Sequence, residues 1–405
     1  MYEFNSSMSL VLNDALNRNI SILSKQFNIF SDEEINSIEN LSISSSENID
    51  GISILKNLKY LKIKSEDFRK ISYDVNLEEH PLVNNIKTFD EISKLKSLKL
   101  IVIENDVNIK SLDIGGLTNL RGISLKNNPN LKELIGLDNL KKLERVFICG
   151  CDISNQFNIN RYIKNTAQAK ANVLDISMYH TLVKDNPKMP ENLDTLNAMG
   201  FTKLKFAEQV GMVDFVYIDI PRLNRLYNEC KNVINKFEYV NFTDEEKVYY
   251  IHKYLVTNVD YARDFIRSRH KKFIANNYKI PNYARKNYGM IHSSYSAMVF
   301  KRSNCEGYVN LMKLLLKMID IESFNVHCTT VDAWNTFSFT HACIRVKIND
   351  EWYYFDPSLE RERGIDLSFK NLEEIKETHV LNSFENSIRK GHTNDKKRFK
   401  QNQGY

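Results

Sequence analysis

Four stretches of this chain carry one apolar frame. Leu55, Leu58, Leu61 and Ile63 are spaced as Leu95, Leu98, Ile101 and Ile103 are. The spacing returns at Leu117, Leu120, Ile123 and Leu125, then at Leu140, Leu143, Val146 and Ile148. From Leu95 to Leu117 is 22 residues and from Leu117 to Leu140 is 23, with a longer irregular interval before Leu95. A frame LxxLxxLxL held over four registers argues against unrelated amphipathic helices, whose apolar positions follow a 3.6-residue period. Each register supplies one short strand that cannot bury its own apolar face, so the units must stack.

This is the frame of leucine-rich repeats, and it predicts a solenoid over about residues 41–150. "LKNNPNLKEL" adds asparagines after a strand, as such repeats commonly have. Ser31 and Glu34 stand in capping-box spacing and predict a helix start. With "LNDALNRNISILSKQF" they are expected to form the helical cap that an open-ended repeat array needs. Cap and repeats together are placed at 1–155. The strand surface suits contact with another macromolecule and carries no evident chemistry. Cys149 and Cys151 have no second Cys/His cluster nearby, and read as small residues filling the last repeat rather than zinc ligands.

With 405 residues, 42% hydrophobic and 26% charged, the chain has material for more than one globular core. Its net charge of +5 is dispersed among nearly as many acids, which does not make the basic face that nucleic acid requires. The N-terminal stretch lacks a basic region followed by an apolar run, and no segment has the apolar length to span a bilayer. Six cysteines in a chain this long suit a reducing compartment rather than a disulfide framework. The expectation is a cytoplasmic protein, with export lacking an N-terminal signal left open. No cofactor, metal, nucleic acid or membrane partner is expected, and the oligomeric state is not legible.

Between about 156 and 217 the periodicity weakens. "IPRLNRLYNECKNVINKF" then gives a helical apolar face of Leu223, Leu226, Tyr227, Cys230, Val233, Ile234 and Phe237. Thr243 and Glu246 form another capping box, ahead of a helix lined by Val248, Ile251, Leu255 and Val259. His252 on that helix reads as a surface or packing residue. "RDFIRSRHKKF" reads as a solvated basic stretch.

In "SNCEGYVNLMKLLLKMI", Asn304 can cap a helix whose apolar positions are Tyr308, Leu311, Met312, Leu315 and Ile319. Cys305 then falls in the first turn, where unpaired N–H groups and the helix dipole favour a thiolate. A nucleophilic thiol needs a base, and the base an orienting group. In "THACIRVKINDEWYYFDPS", Asn349 and Asp350 suit a two-residue hairpin turn. That register places Ile348 opposite Glu351 and Cys343 opposite Asp356. His341 becomes a diagonal neighbour of Asp356 on the same face, within reach of an imidazole–carboxylate hydrogen bond. Cys328 and Cys343 read as buried strand thiols. His327 lacks a hairpin carboxylate and is the weaker base candidate.

Residues 240–360 resemble the transglutaminase-like superfamily of papain-like cysteine enzymes, in its bacterial form. Tyr295 opens "YSAM" ten residues before "CEGY"; His341 opens "HAC", and Trp352 leads "WYYFDP". Cys343 stands where the family usually has tryptophan, and Ser296 where it has glycine. The resemblance implies an α+β papain-like fold in which Cys305 attacks an amide carbonyl, His341 shuttles the proton and Asp356 orients His341. Tyr295, Trp334 and Cys343 are candidates for the substrate groove or for oxyanion contacts, and the small Cys343 suggests a roomier groove wall. The transglutaminase-like domain with its helical lead-in is placed at 156–385, followed by a basic polar tail at 386–405. The implied function is acyl transfer or hydrolysis on protein amide bonds, with the repeats holding the protein or peptide substrate. The alternative is a non-enzymatic interaction scaffold that keeps the fold.

Overall fold

The computed structural model describes residues 1–18, 24–44, 49–64, 89–106, 109–153, 171–199, 204–210, 214–239, 241–262, 290–331 and 337–381. The basic stretch 263–272 and the tail 386–405 lie outside them. The chain divides into two compact units, the first ending at Ala207 and the second beginning at Glu208.

The first unit opens with helix α1 (Ser6–Ala15), capped by the Asn5 side chain on the Met8 N–H at 2.8 Å. Helix α2 (Asp32–Ser37) starts at the expected capping box, with Ser31 and Glu34 each satisfying the other's backbone N–H. Strands follow at β1 (Asn40–Ser44), β2 (Tyr60–Lys64), β3 (Leu100–Glu104), β4 (Gly122–Lys126) and β5 (Arg145–Cys149). They pair in parallel, in chain order.

The register aligns the repeated frame. Leu61, Ile101, Ile123 and Val146 form one column, and Ile63, Ile103, Leu125 and Ile148 the next. Each of these side chains is at most 2% exposed, as are the leucines that precede each strand. At about 25 cal/mol per Å² of apolar surface removed from water, burial of such stacked columns stabilises the unit. Asparagines close the strand ends: Asn128 Nδ2 donates to the Ile103 carbonyl at 3.0 Å, and Asn127 Nδ2 to Asn105 Oδ1 at 2.9 Å. Asn105 and Asn127 both have positive φ, which asparagine tolerates at little cost.

The unit reaches beyond the boundary expected at 155. Strand β6 (Ala171–Asp175) pairs in parallel with β5, and β7 (Leu204–Val210) with β6. Neither strand is preceded by the leucine spacing, so the period did not reveal them.

The second unit contains α3 (Ile220–Ile234), α4 (Asp244–Asn258), α5 (Ser294–Val299) and α6 (Cys305–Met318). Leu223, Leu226, Tyr227, Cys230 and Val233 form the buried face of α3. Thr243 and Glu246 cap α4 as its sequence requires. An antiparallel sheet follows: β8 (Ser323–Val331), β9 (Phe337–Ile348), β10 (Glu351–Phe355) and β11 (His379–Leu381), in the order β10-β9-β8-β11. Helices α7 (Pro357–Arg363) and α8 (Leu372–Lys376) lie between β10 and β11 in the chain. Asn349 and Asp350 have φ of 50° and 64°, the left-handed pair of a tight hairpin turn. The register runs from Ile348↔Glu351 to Ile344↔Phe355, so the next residue is Asp356, as the hairpin count requires. Among the described residues no helix is long and apolar enough to cross a membrane.

Candidate active site

Cys305 is the first residue of α6. Asn304 caps the helix by accepting from the Gly307 N–H at 3.3 Å, and the thiol residue is 6% exposed. Gly307 explains part of the "CEGY" stretch. A Cβ there would stand 1.8 Å from Ser303 Oγ and 3.0 Å from the Ile291 and Ser293 carbonyl oxygens. Only glycine lets the first helical turn approach that closely. Ser296, in the usual glycine position, donates from Oγ to the Arg302 carbonyl at 2.6 Å.

His341 and Asp356 meet as the hairpin predicts. The imidazole Nε2 donates to Asp356 Oδ2 at 2.6 Å, with both side chains buried. Nε2 is thereby engaged, which leaves Nδ1 as the nitrogen that can serve a thiol, and Cys305 lies near enough to act on the ring electrostatically. Burial disfavours a charged ring, but the nearby charges of Asp356 and Cys305 and the hydrogen bond to Asp356 outweigh it and hold His341 well above the usual histidine range. Burial likewise opposes the Asp356 anion, yet His341 and His379 keep the carboxyl well below its usual range.

Asp356 is fixed on both oxygens. It caps α7, with Oδ1 accepting from the Leu359 N–H at 2.9 Å and the Ser358 hydroxyl at 2.8 Å. Pro357 at the first helical position needs no N–H partner, so "DPS" ends the strand and starts the helix in one step. Oδ2 accepts from two imidazoles: His341, and His379 of β11 at 2.9 Å. The other nitrogen of His379, Nδ1, accepts from the Thr378 hydroxyl at 2.8 Å.

The sequence reading missed His379 and Tyr261. His379 follows Asp356 by 23 residues in a three-residue strand, and only the pairing Thr330↔His379 brings it to the carboxylate. Tyr261 lies in a short parallel pair with Ser303, which brings its phenol within electrostatic reach of Cys305. Burial, then the nearby charges of Cys305, Glu362 and Asp356, push that phenol up, so it remains an O–H donor.

The groove candidates fare differently. Tyr295 is 5% exposed, with its ring edge-on to Phe300 at 5.3 Å. Trp334 lies outside the described residues. Cys343 is fully buried among Val326, Cys328, Tyr354, Ile375 and Leu381. This corrects the expected roomier groove wall, because a side chain in that core faces no groove. His327 is half-buried, and desolvation pushes its imidazole down. His252 is a packing residue, wholly buried on Glu360 Oε2 at 2.8 Å.

Residues 238–357 match the family model of the transglutaminase-like superfamily. The chain carries a transglutaminase-like domain. Among solved structures, a TGase aligns at 14% identity over 41% of this chain and 46% of that one, with a TM-score of 0.27. A candidate cysteine protease from Cytophaga hutchinsonii aligns at 15% identity over 38% and 41%, with a TM-score of 0.24. An internalin from Listeria monocytogenes aligns at 18% identity over 49% of this chain and 54% of its own, with a TM-score of 0.27. The chain thus spans about half or less of each of these structures. None of the curated proteins matches it. The transglutaminase-like match ends one residue past Asp356, so His379 and β11 lie beyond it. The superfamily supports cysteine-based catalysis at a coarse level.

Proposed function

We propose that the chain is a cysteine-nucleophile acyltransferase or hydrolase acting on protein amide bonds, with Cys305, His341 and Asp356 as its catalytic group. The observation that carries this reading is the His341 imidazole, bonded to Asp356 at 2.6 Å and within electrostatic reach of the helix-terminal thiol of Cys305. Cys305 sulfur attacks the amide carbonyl and its proton passes to His341. The C–N bond then breaks, His341 returns the proton to the departing amine or ammonia, and a thioester remains. Water or an amine resolves the thioester. Asp356 holds the imidazole in the tautomer that serves both transfers.

In this proposal the first unit is a leucine-rich repeat solenoid with α1 and α2 as its cap, and it selects the protein substrate. In its favour, Tyr60, Lys62, Leu100 and Val102 project between the buried columns. With Val11 and Asp14 of α1 they line a cavity of about 500 Å³.

Mass spectrometry of glutamine-bearing proteins incubated with the full chain tests the chemistry. A gain of about 1 Da marks deamidation, a loss of about 17 Da per bond marks cross-linking, and fragments mark proteolysis. Each must vanish with Cys305→Ala. No change in any protein, together with a Cys305 that alkylates no faster than a free cysteine, would leave only the scaffold.

A further inference from the structure

Beside the triad carboxylate lies a second cluster of chemistry-bearing side chains. Cys328 pairs with His341 across β8 and β9, and Cys343 pairs with Val326. The two cysteines are therefore diagonal neighbours on one sheet face, and their sulfurs stand 4.0 Å apart. His379 enters from β11 on the other side of β8. One donor atom from each of the three residues lies within 4.8 Å of both others, and all three residues are buried.

Two thiolates bound at about 2.3 Å to one tetrahedral zinc ion stand about 3.8 Å apart, so the sulfur spacing already approaches that of a chelate. The charge also suits the surroundings. On binding a divalent ion the two thiols release two protons to solvent, and with a neutral imidazole the thiolate complex carries no net charge. A neutral complex can sit among Val326, Tyr354, Ile375 and Leu381 without the cost of an uncompensated buried ion. The His379 ring is held at both nitrogens, by Asp356 and by Thr378. An ion that takes either nitrogen displaces one of those bonds and resets the ring that steadies Asp356.

We propose that Cys328, Cys343 and His379 form a site for a thiophilic divalent cation of the zinc class, coupled to the catalytic group through the imidazole shared with Asp356. The coupling rests on the function proposed above; the binding does not. The sequence reading expected no metal, because the three ligands come from three strands and form no spacing motif.

Cobalt(II) added anaerobically to the reduced, metal-free full chain carrying Cys305→Ala tests the binding, since that background removes the triad thiol as a competitor. A sulfur-to-cobalt charge-transfer band saturating at one equivalent, and erased by zinc, is expected. Cys328→Ala and Cys343→Ala, which keep the core apolar, should each abolish the tight band, and His379→Gln should weaken it. A missing band, or one that persists in both alanine variants, would overturn the site. Coupling is read separately, as the alkylation rate of Cys305 in the otherwise unaltered chain. One equivalent of zinc should slow it at least about tenfold, and not when Cys343→Ala is present. Slowing that persists in Cys343→Ala would place the zinc on Cys305 and His341 and overturn the coupling. A Cys305 that is unreactive without metal would count against the catalytic reading while leaving the cobalt result intact.

Discussion

In the first unit, residues that stack are copies of one another. Leu61, Ile101, Ile123 and Val146 do the same thing on successive strands. In the second unit, the residues that meet at Asp356 have nothing in common. Cys305 opens a helix, His341 lies inside a strand, Asp356 caps another helix and His379 sits on an added strand. A repeated column spreads its energy over many equivalent contacts, and the loss of one side chain is a packing loss at that level. The site concentrates its hydrogen bonds on one carboxylate, and a change in any donor reaches the others through it.

The sharpest way to break the comparison is at the thiol. Cys305→Ala and Asp356→Asn should each lower turnover by at least about a thousandfold with circular dichroism unchanged. Turnover within about tenfold of the parent would remove the residue from the chemistry. Next in size is a packing test. Leu120→Ala and Leu315→Ala each empty a fully buried site and should cost about 2–5 kcal/mol in denaturant titrations. Only Leu315→Ala, on the helix that carries Cys305, should also slow alkylation of the thiol. Equal slowing by Leu120→Ala would mean that the repeats cannot be perturbed without reaching the site.

A smaller effect is expected one step out from the reacting atoms. His379→Ala should reduce kcat by about ten- to a hundredfold with KM little changed. His379→Gln, which can still donate to Asp356, should recover part of that loss. Unchanged kcat in both variants would make the second imidazole a packing residue.

The smallest effect is a pH dependence of stability. Glu360 accepts from His252, Lys253 and the Leu367 N–H. Burial opposes its charge, but these hydrogen bonds lower its pKa from 4.5 to about 2. With the folded value depressed, its contribution is complete above pH 4.5 and lost as the pH falls towards about 2. Glu360→Gln should therefore destabilise the protein most above pH 4.5, and the gap to the parent should close on acidification. A gap independent of pH would show that shape, not charge, carries the interaction.

The sequence by itself determined what repeats and what pairs locally. A leucine period specifies its strands because each repeat has the same apolar positions to bury. The hairpin around Asn349 and Asp350 brings His341 to Asp356, because strand alternation and a two-residue turn leave one register. The helix start at Asn304 similarly places Cys305. Tertiary structure decided the rest. The parallel strands β6 and β7 lack the leucine period, and their pairing follows from neighbours rather than pattern. Cys343 falls in the core because α8 and β11 cover it. Tyr261 reaches Cys305, and His379 reaches Asp356, through pairings between segments far apart in the chain. No local period encodes such pairings; the free energy of the whole packed sheet selects them.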